Sequence, residues 1–412
     1  MAAPHQVNKD RLWQSLMEMA KIGPGVAGGN KRLALTEEDR QGRDLFCAWA
    51  REAGCAVSVD GMGNIFARRP GRRPGAEPVL AGSHLDTQPT GGRFDGVFGV
   101  LAALEVLRSL NDRKLETARP VEVVVWTNEE GSRFQPAMIG SGVFSGKFTL
   151  AEGHAQKDAD GVTLGAALEK IGYKGQAPAG PRPIHAYLEA HIEQGPILET
   201  ERKTIGIVTG IQGVKWFKAR VTGMNAHAGT TPMEVRRDPL LGAAKMVQAV
   251  DRITRATRPD CVGTVGEFKV GPGSINVINA EVRFSIDLRC PDGDVLHQLE
   301  ANVRAACAGI AQESGLALEL DEIWYSEPTA FNPKIVEAVA QATAQQGYAA
   351  RRIVSGAGHD AKYLADICPT AMIFIPCEKG ISHNESENIT PEQAQAGANV
   401  LLNTILALAN GE

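Results

Sequence analysis

The hydrophobic and polar positions of the first two hundred residues predict strands and helices in alternation. PVLAGS at residues 78–83 and the β-branched run VEVVVW at residues 121–126 are typical of buried strands. Between them, residues 97–110 are apolar enough for a buried helix. Towards the C-terminus the alternation resumes, with TAMIFIP at residues 370–376 as another buried strand. This pattern predicts an α/β fold whose sheet carries helices on its faces.

A different pattern, in which alternating strands flank long helices, begins near residue 207. Its elements, in chain order, are a strand at 215–223, a helix at 238–257, strands near 262–270 and at 280–290, a helix at about 293–314 and a strand near 316–325. The order β-α-β-β-α-β is the ferredoxin-like arrangement. We therefore predict that residues 208–325 form an inserted α+β domain, and that residues 1–207 and 326–412 form the two parts of a discontinuous larger domain.

Composition and charge exclude several classes of protein. Hydrophobic residues make up 43% of the chain and charged residues 22%, an ordinary globular balance. With a net charge of -5, the chain lacks the basic field that nucleic-acid binding requires. No run of about 18 apolar residues and no signal-peptide core is present, so we expect no membrane association. Seven cysteines without a CxxC pair predict reduced thiols and a cytoplasmic location.

Sequence motifs give little support to nucleotide or serine-hydrolase chemistry. GPGVAG at residues 23–28 satisfies the GxGxxG pattern, but it follows a helical segment rather than a strand and contains a proline. A GxxxxGK[ST] loop and a GxSxG elbow are both absent from the sequence.

The stretch GSHLDTQPTGGRFDG at residues 82–96 is the first candidate for catalytic chemistry. It places His84 and Asp86 at the end of a predicted strand, and Asp95 follows eleven residues after His84. Open α/β sheets bind ligands beyond the carboxyl ends of their strands, so these residue types favour a metal site. A polar loop with turn-capping aspartates and an exposed histidine is the alternative, and the stretch alone leaves both open.

Two adjacent carboxylates, Glu129 and Glu130, follow the strand VEVVVW. Their mutual repulsion would be relieved if one bound a dication and the other served as a free base. A solvated acidic turn is the alternative. It is disfavoured because the pair and His84 occupy the same position relative to the sheet.

Two further histidines, His191 in HIEQGP and His383 in GISHNESE, complete a candidate ligand set. Each alone is more typical of a hydrogen-bonded or exposed histidine than of a ligand. Together with the residues above they supply three imidazoles and two carboxylates. This number is enough for two zinc-like ions that share one bridging aspartate.

Seven segments carry a resemblance to a known family. In chain order they are HLDTQPTGGRFDG, NEEGSRF, HIEQGP, NAHAGTTPM, SINVINAEVRFSIDLR, SGAGHDA and GISHNESE. From about residue 20 to the C-terminus the chain closely resembles the hydantoinase/carbamoylase family of amidases, relatives of the dinuclear zinc aminoacylases and carboxypeptidases. The TQP segment is most similar to the branch that acts on N-carbamoyl-β-alanine (β-ureidopropionases) and N-carbamoyl-L-amino acids. Allantoate amidohydrolases are almost as similar, and Glu385 replaces the proline of the family's SHxPxE pattern.

The resemblance implies a mixed-sheet, zinc-peptidase-like catalytic domain with an inserted ferredoxin-like lid and dimerisation domain. It also implies two divalent ions, zinc by default, although manganese, cobalt and nickel can use the same donors. The implied metal ligands are His84, Asp95 as the bridge, Glu130, His191 and His383. A histidine at 191 replaces the acidic residue of the peptidases and separates the amidase branch from them. Asp86 would orient an imidazole ligand, and Glu129 would be the general base.

The family pattern also implies substrate-binding residues. Arg289 would bind the substrate carboxylate, because a planar guanidinium makes bidentate hydrogen bonds to it. Asn276, Gln194 and Gly358 would contact other polar atoms of the substrate, and the role of His359 stays ambiguous. His227 would stabilise the developing oxyanion from the partner subunit. A homodimer through the inserted domain is therefore implied.

We expect a metal-dependent amidohydrolase that cleaves the ureido C–N bond of N-carbamoyl amino acids to the amino acid, ammonia and carbon dioxide. An allantoate amidohydrolase is the first alternative and a zinc aminoacylase or peptidase the second, although His191 argues against the latter. A non-catalytic binding module would be expected to lose Glu129 or a metal ligand, and all of them are present.

Overall fold

The computed structural model describes residues 4–411 and divides into two compact units. The first comprises the chain up to Thr209 and from Ala330 onward, and the second is Gly210–Thr329. The bounds of the predicted insertion, residues 208–325, differ from those of the second unit by a few residues. Within residues 4–411 we find no helix with the length and apolar character that crossing a membrane requires.

Residues 4–411 form sixteen strands. In chain order these are β1 (Ala56–Val59), β2 (Ile65–Arg69), β3 (Val79–His84), β4 (Val121–Trp126), β5 (Ala186–Ile192), β6 (Ile205–Ile211), β7 (Gly213–Thr222), β8 (Ala226–His227), β9 (Val262–Thr264), β10 (Phe268–Gly271), β11 (Val277–Ile278), β12 (Glu281–Cys290), β13 (Ala317–Ser326), β14 (Thr329–Ala330), β15 (Ala350–Ser355) and β16 (Thr370–Ile375).

The same residues form twelve α-helices and two 3₁₀ turns, the turns at Met233–Val235 and Glu378–Gly380. The helices are α1 (Lys9–Met19), α2 (Glu37–Glu52), α3 (Val97–Asp112), α4 (Ile139–Ser145), α5 (Leu150–Ala155), α6 (Leu164–Ile171), α7 (Ile197–Thr200), α8 (Pro239–Thr257), α9 (Gly293–Glu313), α10 (Pro333–Gln345), α11 (Ala361–Leu364) and α12 (Pro391–Asn410).

A mixed sheet of nine strands forms the centre of the first unit. Four of its strands are mutually parallel and lie in the order β4-β3-β5-β16. β2 is antiparallel to β4, and β6 is antiparallel to β16. Every residue of the four parallel strands is buried, as continuous apolar runs in a covered sheet should be. The predicted strands at 78–83, 121–126 and 370–376, and the α/β fold class, are confirmed.

One helical layer over this sheet consists of α1, α3, α10 and α12. Helix α3 packs on β3 and β5, and α12 packs on α3 and β16. Gly99 allows the close approach of α3, because a Cβ atom there would lie 2.2 Å from the carbonyl oxygen of Ala190 in β5. The apolar run at 97–110 therefore forms the buried helix that the sequence predicted.

The second unit is an antiparallel sheet with two long helices, α8 and α9. Its strands lie in the order β10-β12-β7-β13, and β9 also pairs with β12. The sequence thus folds in the ferredoxin-like order, with the helices and the apolar sheet face sharing one core. Phe217, Ala219 and Val221 of β7 are buried, while Lys218 and Arg220 between them are exposed, as the alternation predicted.

The predicted single strand near 262–270 is wrong, because it is divided into β9 and β10. Both halves pair with β12. At the interruption, the backbone N–H of Glu267 donates to the side-chain Oγ of Ser285, at 3.0 Å. A hydroxyl thus replaces the backbone acceptor that a continuous ladder would use.

Two cysteines of the second unit are bonded to each other. Cys261 and Cys290 form a disulfide with their Cα atoms 4.4 Å apart. The neighbouring residues Val262 and Arg289 are partners in the β9–β12 register, which brings the two cysteines together. The expectation of seven reduced thiols is therefore wrong for this pair, whose separation of 29 residues gives no local spacing signal. The other cysteines are free and buried, namely Cys47, Cys55, Cys307, Cys368 and Cys377.

Candidate active site

The parallel strands bring the predicted site residues of the first unit to one edge of the sheet. His84 is the last residue of β3, Glu129 follows the end of β4 and His191 is the penultimate residue of β5. Asp95 lies in the loop between β3 and α3, and His383 lies in the segment after β16. Because the carboxyl ends of parallel strands meet at the same edge, these side chains converge there.

Two groups of possible metal ligands share Asp95. His84, Asp95 and His191 form one group, and Asp95, Glu130 and His383 form the other, with the ligand atoms of each group within 4.8 Å of one another. His191 Nε2 lies 3.1 Å from Asp95 Oδ1, and His383 Nε2 lies 3.3 Å from Asp95 Oδ2. The two oxygens of Asp95 therefore face different histidines, as a carboxylate that bridges two ions would.

Backbone carbonyls determine the tautomers of the two buried imidazoles. His84 Nδ1 lies 2.9 Å from the carbonyl oxygen of Asp86, and His191 Nδ1 lies 2.9 Å from that of Ile192. A carbonyl can only accept, so each Nδ1 donates and each Nε2 faces the site, where it can bind a metal ion once it carries no proton. Metal-binding histidines show this arrangement, and the imidazole and carboxylate donors suit a divalent transition metal. The residues present therefore fit a metal centre.

Asp86 holds the turn that carries the two glutamates. Its Oδ1 and Oδ2 accept hydrogen bonds from the backbone N–H groups of Glu129 and Glu130, each at 3.2 Å. Its carboxylate lies 4.0 Å from His84 Nδ1, so the hydrogen bond that orients this imidazole goes to the main-chain oxygen of Asp86. Burial raises the pKa of the Asp86 carboxyl to about 7.

Glu129 is a buried carboxyl beside the first ligand group. Its Oε2 lies 3.5 Å from His84 Nε2. Burial, followed by the nearby carboxylates of Asp360 and Glu130, raises its pKa well above the usual value of a glutamate. A pKa shifted in this direction favours the uptake of a proton by Glu129, which a general acid–base group needs.

Burial and charge act in opposite directions on the other groups. Burial lowers the pKa of His84 to about 4. Burial also opposes the protonation of His191, but its hydrogen bond to Asp95 prevails and raises its pKa to about 9. Conversely, burial favours the neutral form of Asp95, yet hydrogen bonds from His191 and His383 hold its pKa well below the usual value. Asp95 is therefore the anionic centre of the site.

Gln194 and Gly358, predicted to contact substrate, are both in the first unit. Gln194 Nε2 donates to Asp95 Oδ2 at 2.9 Å, and its Oε1 is a buried acceptor without a partner among the described residues. Gly358 is exposed in the loop before α11. The neighbouring His359 is buried, and its ring centroid lies 4.5 Å from that of His191. His359 and His191 form a third buried group of possible ligands with Glu189.

The remaining predicted residues belong to the second unit. His227 is exposed in β8 and pairs with Val277 of β11, so Asn276 lies beside it. Arg289 lies on the polar face of β12, where its guanidinium pairs with Asp287 at 2.8 Å. The second unit thus brings His227 and Asn276 together, while Arg289 lies on another strand.

Sequence reasoning missed several polar residues that contact the candidate ligands. Gln88 Nε2 donates to Glu130 Oε2 at 2.7 Å. Ser382 Oγ lies 3.1 Å from Asp95 Oδ2, and Glu387 accepts hydrogen bonds from the Asp95 loop. All three lie within the segments HLDTQPTGGRFDG and GISHNESE, so their proximity in sequence to predicted ligands was the available signal.

Backbone strain is concentrated at the same place. Asn128, Gln194 and His383 all have left-handed backbones, with φ of 55°, 56° and 52°. Non-glycine residues adopt this conformation at a cost, and such residues cluster at functional sites. Four parallel strands that present two carboxylate–imidazole groups and a buried glutamate at their carboxyl edge indicate the class of metal-dependent hydrolases.

Comparison with known proteins agrees with this class. The sequence profile of the peptidase family M20/M25/M40 matches residues 80–407. An N-carbamoyl-L-amino-acid amidohydrolase from Rhizobium meliloti is 48% identical over 412 residues, covering 99% of both chains. The chain belongs to the peptidase family M20/M25/M40 and, within it, to the hydantoinase/carbamoylase amidases. The family that the sequence motifs resemble is therefore confirmed.

Solved structures and a second relative agree with this assignment. A hydantoinase/carbamoylase family amidase from Burkholderia multivorans is similar with a TM-score of 0.96 and 57% identity, covering 98% of this chain and 99% of that chain. An allantoate amidohydrolase from Bacillus subtilis is 32% identical, covering 97% of this chain and 98% of the relative.

Proposed function

We propose that the protein is a metal-dependent amidohydrolase that cleaves the ureido C–N bond of N-carbamoyl-L-amino acids. The observation that carries this proposal is the pair of ligand groups that share Asp95, with Glu129 beside them. The name of the relative that is 48% identical along its full length supports the substrate class. N-carbamoyl-β-alanine, whose carboxylate is one methylene further from the ureido group, is the nearest related substrate.

The two ligand groups would hold two divalent ions, with zinc as the default and manganese, cobalt or nickel as alternatives for the same donors. When bound, such ions polarise a carbonyl and lower the pKa of water to near 7. His84 and His191 would serve one ion, Glu130 and His383 the other, and Asp95 both.

Glu129 moves the proton in this proposal. It accepts a proton from the attacking water and delivers it to the terminal nitrogen of the ureido group. The bond between the ureido carbon and that nitrogen breaks, and ammonia leaves. The remaining carbamate decomposes to carbon dioxide and the free amino acid, so one water is consumed for each substrate.

The substrate-binding residues of the proposal are those that the family pattern implies. Arg289 would bind the substrate carboxylate, and Asn276, Gln194 and Gly358 would contact its remaining polar atoms. The unpartnered Oε1 of Gln194 supports this role, because a buried acceptor gains a hydrogen bond when a donor arrives. His227 of the partner subunit would stabilise the developing oxyanion in a homodimer formed through the second unit.

The direct test is ammonia release from a panel of substrates. The panel contains several N-carbamoyl-L-amino acids, N-carbamoyl-β-alanine, allantoate and an N-acetyl-L-amino acid, assayed with metal-reconstituted and chelator-treated protein. We expect chelator-sensitive ammonia release, fastest with an N-carbamoyl-L-amino acid. For the matched control, the protein is first reconstituted with metal, and chelator is then added as the last step.

The other outcomes point to named alternatives. Fastest ammonia release from allantoate would favour an allantoate amidohydrolase, the activity in the name of the Bacillus subtilis relative. Cleavage of the acetyl compound without ammonia would favour an aminoacylase. No turnover of any compound by protein with bound metal would contradict the proposal.

A further inference from the structure

We infer that Glu387 is a positioning residue that fixes the orientation of Asp95, the carboxylate shared by the two ligand groups. The inference rests on the proposed function, because it assigns Glu387 to the metal centre proposed there. Glu387 lies four residues after His383 in the segment GISHNESE and is only 1% exposed. Its buried carboxylate is directed at the loop that carries Asp95.

The first contact is with the backbone of that loop. Glu387 Oε1 accepts hydrogen bonds from the N–H groups of Phe94 and Asp95, each at 3.0 Å. Two successive N–H groups that converge on one oxygen fix the peptide plane that enters Asp95. The direction of the Asp95 side chain from the backbone is thereby fixed as well.

The second contact runs through a hydroxyl. Ser382 Oγ lies 2.9 Å from Glu387 Oε2 and 3.1 Å from Asp95 Oδ2. Ser382 therefore lies between the two carboxylates and can donate its one hydroxyl proton to either of them, and it directly precedes His383 in the chain. The backbone and the carboxylate of Asp95 are both tied to the chain segment that supplies the histidine of the second ligand group.

The loop has the shape that this carboxylate requires. A Cβ atom at Gly92 would lie 2.0 Å from the carboxylate carbon and from Oε1 of Glu387. Glycine is therefore needed at position 92 because the space is already filled by Glu387. The GGRFDG motif thus contains both Asp95 and Gly92, the glycine that leaves room for Glu387.

The neighbouring Glu385 has different partners, although it belongs to the same acidic segment. Its Oε2 accepts hydrogen bonds from the backbone N–H groups of Ala27 and Gly29. Glu385 thus ties the segment to the glycine-rich loop near residue 27, whereas Glu387 ties it to the Asp95 loop. The acidic composition of the segment alone does not distinguish the two roles.

The test measures metal binding directly. Metal-free protein is titrated with Co²⁺, and binding is followed by the visible absorption of the bound ion. We expect Glu387→Ala to weaken Co²⁺ binding by about 10–100-fold, the usual effect of losing a group that orients a metal ligand. Glu387→Gln should bind within about threefold of the wild type, because its Oε1 still accepts both N–H groups and its amide can donate to Ser382.

Two further variants make the test specific. Gly92→Ala retains the Glu387 carboxylate, but the added Cβ displaces it. This variant should therefore weaken Co²⁺ binding, as Glu387→Ala does. Glu392→Ala removes an exposed glutamate that pairs with Lys9 and is the matched control, with unchanged binding expected. Far-UV circular dichroism of each variant shows whether it is folded.

Several results would overturn the inference. Wild-type Co²⁺ affinity in folded Glu387→Ala is one, and an equal loss in Glu387→Gln is another, because acceptance of the N–H groups would then not be the role. If Glu387→Ala does not fold, wild-type affinity in Gly92→Ala overturns it. Wild-type protein that binds Co²⁺ but releases no ammonia would contradict the proposed substrate instead, so the two failures are distinguishable.

Discussion

At the residue scale, Glu129 carries the proton transfer of the proposed reaction. Glu129→Gln keeps the shape of the side chain and removes its capacity to accept a proton. We expect kcat to fall by about 10²–10⁴-fold, the usual contribution of a general base, while KM changes little. Ammonia release measures the rate, and Co²⁺ titration verifies that the metal centre is intact. A kcat within a few-fold of the wild type would exclude Glu129 as the base.

Arg289 is expected to bind the substrate carboxylate, and its own strand provides a control. Arg289→Ala should raise KM by about 10–100-fold, because a hydrogen bond to a charged group contributes about 1.5–3 kcal/mol. Arg283 lies on the same face of β12, is exposed and pairs with Glu281, so Arg283→Ala should leave KM unchanged. Steady-state kinetics with an N-carbamoyl-L-amino acid and with its carboxamide check the assignment, since only the former should be affected. Equal effects of the two substitutions would contradict it.

The single residues of the site were predictable to different degrees. His84, Asp95 and Glu130 follow predicted strands and stand out as donor residues, so their meeting at one sheet edge could be expected. His84 Nδ1 donates the hydrogen bond that orients its ring to the carbonyl oxygen of Asp86, and side-chain chemistry gives no signal for a carbonyl. Glu387 was missed because an acidic residue in a polar segment is ordinarily solvated, and only the fold reveals that it is buried.

At the scale of elements, the packing of α3 on the sheet makes a testable case. Gly99→Ala improves helix propensity, yet its Cβ would lie 2.2 Å from the carbonyl oxygen of Ala190. We expect a net destabilisation of about 1–3 kcal/mol, as is usual for overpacking. Gly309→Ala in α9 meets nothing within 4 Å and should stabilise by about 0.5–1 kcal/mol. Thermal unfolding measures both, and a stabilised Gly99→Ala would contradict the close packing.

The elements themselves differ in how well the sequence predicts them. The strands β3, β4 and β16 are short apolar runs, and burial on both faces makes such runs continuous, so the pattern alone identifies them. The division of β9 from β10 coincides with a one-residue shift in register against β12 and with a hydrogen bond to Ser285, and contacts with a distant strand leave no mark on the periodicity. The Cys261–Cys290 disulfide follows from the β9–β12 register, which no spacing rule supplies.

At the scale of the whole molecule, the inserted segment could be predicted because the pattern of hydrophobic and polar positions changes there. Alternating strands replace continuous apolar runs near residue 207, and the order of elements defines the ferredoxin-like unit. The assembly of the site is different. Its donors come from four parts of the chain, from His84 to His383, and only the parallel order β4-β3-β5-β16 brings them together.

The proposed role of His227 also belongs to the scale of the whole molecule, because it requires a second chain. We expect Glu129→Gln and His227→Ala to be inactive as separate homodimers. In a mixed dimer, the chain with intact Glu129 can receive His227 of the partner subunit, so one of its two sites is complete. Random exchange of equal amounts makes half of the dimers mixed, and about a quarter of all sites should then be active.

Subunit exchange at low denaturant followed by an ammonia-release assay measures this recovery. Mixing each variant with itself under the same treatment is the control, and no recovery is expected there. If His227 acted within its own chain, each site of a mixed dimer would lack one residue and no activity would return. Recovery of activity therefore requires that the two residues act across the dimer, because each chain supplies only the group that the other lacks.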